Sequence, residues 1–265
     1  MPSPDEVDRR SRRSPGAALR GGAPVPQPGP VRVLDADPDL AEGLGAEEAH
    51  RAERASQADT RLLEPGRWSP QVGAEGMPAT LGLLVLGGLL TREVTLLGRC
   101  SVELLGQGDL LRPWQPDAAD DAVVPSEAAW TVVEPSWLAV LDRSFQRRLD
   151  PWPEVTAALT GRAHQRARSL AIRLAIAQMP RLDQRLLLVL WHLADRWGRV
   201  ARDGRVVTLQ LSHRLLAELV SARRPSVSVA LRGLTERGLV SRRSDGYWVI
   251  AGDPPSDLSE IGTAI

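Results

Sequence analysis

Apolar positions change their rhythm twice along the chain. From about 61 to 141 short apolar runs alternate with turn residues, as in "TRLLEPGRW", "LGLLVLGGLLTREVTLLG", "SVELLGQGDLLRPW" and "AAWTVVEPSWLAVLD". Strands of this length and spacing predict an all-β sandwich or jelly roll, with the glycines at 87–88 and 106/108 in turns. Ahead of it, "VRVLDADPDLAEGL" predicts a short helix carrying Leu40 and Leu44 and capped by Asp37 or Asp39. The polar stretch 45–59 predicts a surface helix. From 142 the period becomes helical. "DRSFQRRL" is a short helix, Asp150 to Pro153 breaks it, and a long helix follows over about 154–178. Its apolar residues Val155, Leu159, Ala163, Ala167, Leu170 and Leu174 recur at steps of three and four. Such a seam is read as pairing with the same helix of a second copy, with packing on the chain's own β domain as the alternative. A second helix over 179–198 carries Leu182, Leu186, Val189, Leu190 and Leu193 on one face.

The stretch 206–250 is the most informative. "VVTLQ" reads as a strand, and Ser212 caps a helix whose apolar face is Leu215, Leu216, Leu219 and Val220. "SARR" is a tight link. A second helix buries Val227, Ala230, Leu231 and Leu234 and ends at Gly238. "LVSRR", "SDG" and "YWVI" complete a β-hairpin. Helix, tight turn, helix and hairpin make a winged helix-turn-helix.

Composition narrows the function classes. The 265 residues carry 33 basic and 33 acidic side chains, and every basic one is arginine. The overall balance therefore says nothing about partners. With neither lysine nor asparagine, the bias reads first as that of a GC-rich genome. One cysteine, Cys100, excludes an internal disulfide and a cysteine-ligated cluster built from this chain alone. Residues 1–30 read as a disordered head with no apolar signal segment, and the longest apolar run is too short for a membrane span. The expectation is a cytoplasmic protein.

Locally the charge is not neutral. Residues 206–250 hold seven arginines against three acids, as phosphate binding needs. Off the apolar stripe of the second helix lie Arg224, Pro225, Ser226, Ser228, Val229 and Arg232. Of these, Arg224, Pro225, Ser228 and Val229 are the candidates for base edges. Ser212, His213, Arg214, Arg223, Ser226, Arg232, Arg242 and Arg243 are the candidates for phosphates. "RRPS" is also what basophilic kinases favour. A phosphate on Ser226 would repel DNA, so a modification site remains a second reading of that serine.

"LSHRLLAELVSARRPSVSVALRGLTERGLVSRR" resembles the C-terminal DNA-binding module of Crp/Fnr-type bacterial regulators. The matching residues are Leu216-Ala217, Arg224, Ser226-Val227, Leu231 to Leu234 and Gly238-Leu239-Val240. The segments from "EPGRW" to "GQGDLLRPW" resemble that family's β-roll, including its Gly-Asp-Leu-Leu turn at 108–111. The resemblance, over about 61–250, implies that helix 154–178 is the dimerisation helix. It also implies double-stranded DNA and a second copy as partners, with RNA polymerase as a further candidate. Three positions depart from the pattern: Ser221 where the turn usually has glycine, Val229 where a second base-reading arginine often sits, and Pro225 where a polar residue is frequent.

Relatives that bind cyclic nucleotides carry a Gly-Glu and, a few residues on, an arginine. After Gly108-Asp109 this chain shows neither, and residues 109–142 hold seven acids against Arg112 alone. That balance repels a cyclic phosphate. Accordingly no cofactor, metal or cyclic nucleotide is expected. Cys100 in an apolar strand reads as buried and inert rather than as a redox sensor. The histidines at 50, 164, 192 and 213 leave a haem ligand open, and Trp114, Trp130 and Trp137 read as core rather than as a ligand pocket.

The fold expected is α+β. It comprises a head (1–30), a helical lead-in and cyclic-nucleotide-binding-like β-roll (31–150), a dimerisation helix (151–179), a winged helix-turn-helix (180–252) and a flexible tail (253–265). The function expected is that of a homodimeric DNA-binding transcription regulator and not an enzyme. One alternative is a cupin-like metal enzyme, against which stands the absence of histidine from 61–141. Another is a constitutive, ligand-free DNA-binding or interaction protein using the acidic segment 117–127 as a contact loop.

Overall fold

The computed structural model describes residues 29–70, 81–114 and 126–253. The expected head, most of the acidic segment 117–127 and nearly all of the expected tail lie outside them. The chain divides into two compact units, with the boundary between Arg173 and Leu174, inside one helix.

The first unit is built on an antiparallel sheet. Its strands are β1 (Val31–Arg32), β2 (Gln57–Leu63), β3 (Gly66–Trp68), β4 (Gly82–Leu96), β5 (Arg99–Gly106), β6 (Leu110–Leu111) and β7 (Glu127–Leu141). The main order is β1-β2-β7-β4-β5, with β3 on β7 and β6 on β4. Strands β4 and β7 are both buried on two faces. Leu83, Val85 and Leu138 enter one cluster with Leu90, Leu105, Leu111, Trp130 and Val132, while Leu84, Ala139 and Leu141 enter another. Alternate residues of a strand point to opposite faces, so two covered faces require an unbroken apolar run. "LGLLVL" is such a run. Trp130 packs edge-on against Trp68 at 5.7 Å, Trp114 packs on the first cluster, and Trp137 is buried.

The second cluster is closed by helices. These are α1 (Val33–Ala36), a 3-10 turn (Pro38–Ala41), α2 (Ala46–Ala55), α3 (Arg143–Leu149) and the start of α4 (Pro153–Ala177). Asp142 caps α3, accepting from Phe145 N at 2.7 Å. Pro153 opens α4, where its missing N–H costs nothing.

Four expectations fail here. Gly87 and Gly88 do not turn the chain; they form a bulge within β4, where its register on β7 shifts. A Cβ on Gly88, at φ +93°, would run into Pro135 O and Ser136. Asp37 makes no side-chain capping bond; its carboxylate accepts instead from Arg162 of α4, at 2.8 and 3.0 Å. Val155 and Leu159 are fully buried in their own unit's core, so the helix seam begins only after them, with Ala163, Ala167, Leu170 and Leu174 exposed. Cys100 is exposed near the start of β5, not buried.

The second unit contains α5 (Leu182–Trp197), β8 (Gly198–Ala201), β9 (Gly204–Val207), α6 (His213–Leu219), α7 (Arg224–Glu236), β10 (Val240–Arg242) and β11 (Trp248–Ile250). The four strands form one antiparallel sheet in the order β10-β11-β9-β8. The strand expected at 206–210 lies earlier, as β9, and β8 was not foreseen. The echo of "GRVA" in "GRVV" around the Arg202-Asp203 turn is the hairpin signal that would have found it. Leu186, Leu190, Leu216, Val227, Leu231, Leu234 and Ile250 are all at most 2% exposed and form the core of this unit.

Candidate nucleic-acid interface

Helix α6 starts at Ser212, whose hydroxyl accepts from Leu215 N at 3.1 Å. It ends in a Schellman motif: Ala222 N donates to Ala217 O at 2.9 Å and Ser221 N to Glu218 O at 3.3 Å. The motif needs a left-handed residue, and Ser221 takes that conformation at φ +52° without being glycine. Arg185 of α5 donates to Val220 O at 2.8 Å, placing a cation on the last carbonyls of α6. Three hydrogen bonds thus hold the end of α6 where the chain turns toward α7.

Helix α7 begins with no side-chain cap at Arg223, and Pro225 sits in its first turn. The N–H groups of Arg224 and Ser226 end the helix without a side-chain acceptor, which suits an anion. Val227, Leu231 and Leu234 face the core. The opposite face exposes Arg224, Pro225, Ser226, Val229 and Arg232, with Arg223 beside them. The side chains of Arg223, Arg224 and Arg232 make no ion pair or hydrogen bond among the described residues. A second Schellman motif ends the helix, with Leu239 N on Leu234 O at 3.0 Å and Gly238 at φ +73°.

The wing is tied to α6 by Trp248. Its indole N–H donates to Leu211 O at 3.0 Å, and its ring lies 5.8 Å from that of His213. Arg242 extends over the same ring and donates to Gly246 O at 3.3 Å, while Arg243 pairs with Asp245. Arg214 is exposed and pairs with Glu218 one turn on.

Ser228 departs from expectation. It is half-buried, with its hydroxyl 2.9 Å from His213 Nδ1 and 3.2 Å from Arg224 O. The pattern that serves every atom has a neutral ring donating to Ser228, which donates to Arg224 O. Ser228 is therefore committed inside the unit and not offered to a base edge. His213 links α6, α7 and the wing. Burial, then the nearby Arg242 and Arg224 guanidinium groups, hold its imidazole below the usual histidine range.

In the first unit the arginines are arranged differently. Arg166 grips buried Glu103 with two bonds of 2.5 and 2.6 Å, and Arg92 reaches the same carboxylate at 3.4 Å. Arg173 donates to Val102 O. Among the described residues no group of three or more His, Cys, Asp or Glu side chains is placed to hold a metal ion, and no helix is long and apolar enough to cross a membrane.

A family model for Crp-like helix-turn-helix domains matches residues 184–254. Residues 184–254 are a Crp-like helix-turn-helix domain. Solved structures share the wider fold. A CooA mutant from Carboxydothermus hydrogenoformans is 16% identical, with a TM-score of 0.57 over 78% of this chain and 87% of that one. A cyclic nucleotide-binding domain containing protein from Listeria monocytogenes EGD-e is also 16% identical, with a TM-score of 0.57 over 73% and 89%. FixK2 from Bradyrhizobium japonicum is 17% identical, with a TM-score of 0.54 over 78% and 96%. Among curated protein sequences nothing matches the chain. The fold shared with these structures combines an antiparallel β-roll and a long helix with the Crp-like domain. Within that domain, α7 is the second helix of the helix-turn-helix, and its outer face carries the arginines whose side chains are unpaired among the described residues.

Proposed function

We propose that this chain is a sequence-specific DNA-binding transcription regulator that acts as a homodimer. The observation that carries the reading is the outer face of α7. Arg223, Arg224 and Arg232 stand exposed there without a carboxylate partner among the described residues, on the helix that a helix-turn-helix lays in a major groove. In this reading Arg224 meets guanine O6 and N7, while Arg223, Arg232 and the uncapped start of α7 take phosphates. Arg214, Arg242, Arg243 and the Ser212 and Ser226 hydroxyls flank that face. Pairing of α4 through Ala163, Ala167, Leu170 and Leu174 gives two such helices, reading half-sites about 34 Å apart. Leu174 is 66% exposed, which supports a partner at that helix.

The reading includes neither a cyclic nucleotide nor catalysis. Arg162 and Arg166 of α4, and Arg92 of β4, already hold Asp37 and Glu103, so the cations an anionic effector would need are engaged. RNA polymerase is the further partner through which such a dimer would activate.

The test is selection of bound duplexes from a random pool with the full-length protein, with sedimentation in parallel. A two-fold symmetric site is expected. Arg224→Ala should weaken that site by roughly 5- to 150-fold and relax one position of it. Unchanged sequence preference in that variant overturns the mechanism. Leu170→Asp with Leu174→Asp should yield monomers, and a wild-type chain that binds DNA as a monomer overturns the dimer.

A further inference from the structure

We propose that α7 reads thymine by its 5-methyl group, through an apolar strip made by Pro225 and Val229. The inference rests on the DNA-binding reading above and assigns the chemistry at the centre of that surface.

Pro225 and Val229 stand one turn apart, so they share one line of the helix, which continues to Arg232. Val229 is 69% exposed, while Val227, two positions earlier, is fully buried. A β-branched residue gives up helix propensity in mid-helix, and here it packs little of itself into the unit in return. Along the same line the hydrogen-bonding groups are few. Pro225 carries neither a backbone N–H nor a polar side chain. The Ser228 hydroxyl is already engaged by His213 and Arg224 O. Between Arg224 and Arg232 only the Ser226 hydroxyl is left to meet a polar base edge.

The major groove offers one apolar group at a base edge, the C5-methyl of thymine. An exposed apolar strip bounded by unpaired arginines matches that groove in both its parts. The arginines meet phosphates and guanine, and the strip meets methyls. A purely polar recognition helix would leave Val229 against hydrophilic edges, where it gains nothing. Burying one methyl against Val229 is worth about a four-fold change in affinity.

The experiment uses the full-length protein and two random-sequence duplex pools, one made with thymine and one with uracil. Uracil keeps every hydrogen-bonding group of thymine and lacks only the methyl. The thymine pool should yield a site with one or two fixed thymines per half-site. Changing each singly to uracil should weaken binding about four-fold. In Val229→Ala that penalty should shrink toward one-fold, while the salt dependence stays as in the wild type. Equal affinity for the selected site and its all-uracil copy overturns the inference and leaves the DNA-binding reading standing. A full uracil penalty that persists in Val229→Ala also overturns it. Failure of both pools to enrich any sequence removes the DNA-binding reading itself, whereas enrichment from the thymine pool alone supports the inference.

Discussion

Arg166 on α4 and Arg224 on α7 are the same residue type on two helices of one chain, with opposite surroundings. Arg166 is largely buried, and both of its bonds to Glu103 are short. Its neighbours are handled alike: Arg162 holds Asp37, and Arg173 caps a strand carbonyl. Taking these charges out of water has a cost, and the titrating groups register it. Burial pushes the Asp37 carboxyl above its usual range despite Arg162 beside it. Burial likewise pulls the Arg173 guanidinium down, with Glu103 opposing. Arg224 is exposed and its side chain has no partner among the described residues. The difference separates arginines that hold the fold from arginines held ready for something outside it.

The comparison breaks first at Glu103. Removing one member of a buried charge network leaves the others unpaired, which typically costs several kcal/mol. Glu103→Ala strands Arg166 and Arg92, and should lower unfolding free energy by about 3 kcal/mol in urea titration. A loss below about 0.5 kcal/mol would mean that water solvates these arginines freely. On α7 the effects should invert. Arg223→Ala and Arg232→Ala should leave stability within about 0.5 kcal/mol of wild type. Each should weaken DNA binding at all sequences alike and lower the slope of log affinity against log salt by about one. A stability loss in either variant would show that the cation has a structural partner.

Sequence alone showed one side of this contrast better than the other. The helix-turn-helix was legible because its signals are local: Ser212 as a cap, Gly238 as a stop, and Val227, Leu231 and Leu234 at helical spacing. The pairing of Arg166 with Glu103 was not, because 63 residues separate them and either could equally have been a solvated surface charge. Val155 and Leu159 show the same limit. Their spacing fits a helix pair and a core alike, and only the packing of Leu149, Phe145 and Leu40 around them decides for the core. The commitment of Ser228 to His213 depends on how α6 meets α7, which no local pattern records.

A smaller effect sharpens the contrast at the turn that aims α7. Ser221 and Gly238 occupy the same position in two Schellman motifs, both with φ positive. A left-handed serine carries roughly 1 kcal/mol of strain that glycine lacks, offset in part by the greater freedom of glycine in the unfolded chain. Ser221→Gly should therefore stabilise the second unit by about 0.5 kcal/mol, and Gly238→Ala should destabilise it by about 1 kcal/mol. If Ser221→Gly is destabilising, the serine side chain contributes a contact that outweighs its strain. Neither change touches the α7 arginines, so DNA specificity should follow wild type in both.

The subtlest expected effect reads the unpaired charge directly. His213 lies close to Arg224 and Arg242, and burial together with their field holds its imidazole below the usual value. An ordinary histidine in the unfolded chain titrates near 6.5. The folded value lies lower, so between the two the unfolded chain holds the extra proton. Stability contributed by the neutral ring is therefore complete above about pH 6.5 and is lost as pH falls toward the folded pKa. Following the imidazole protons by NMR should show Arg224→Ala moving that pKa up toward 6.5. Arg166→Ala, in the other unit, should leave it in place. DNA phosphates around α7 would offset the same two arginines, so adding the selected duplex should also raise it and draw a proton on binding. A His213 pKa that ignores both Arg224→Ala and DNA would mean that burial alone sets it. The α7 cations would then be too well screened by solvent to act on the ring at its base.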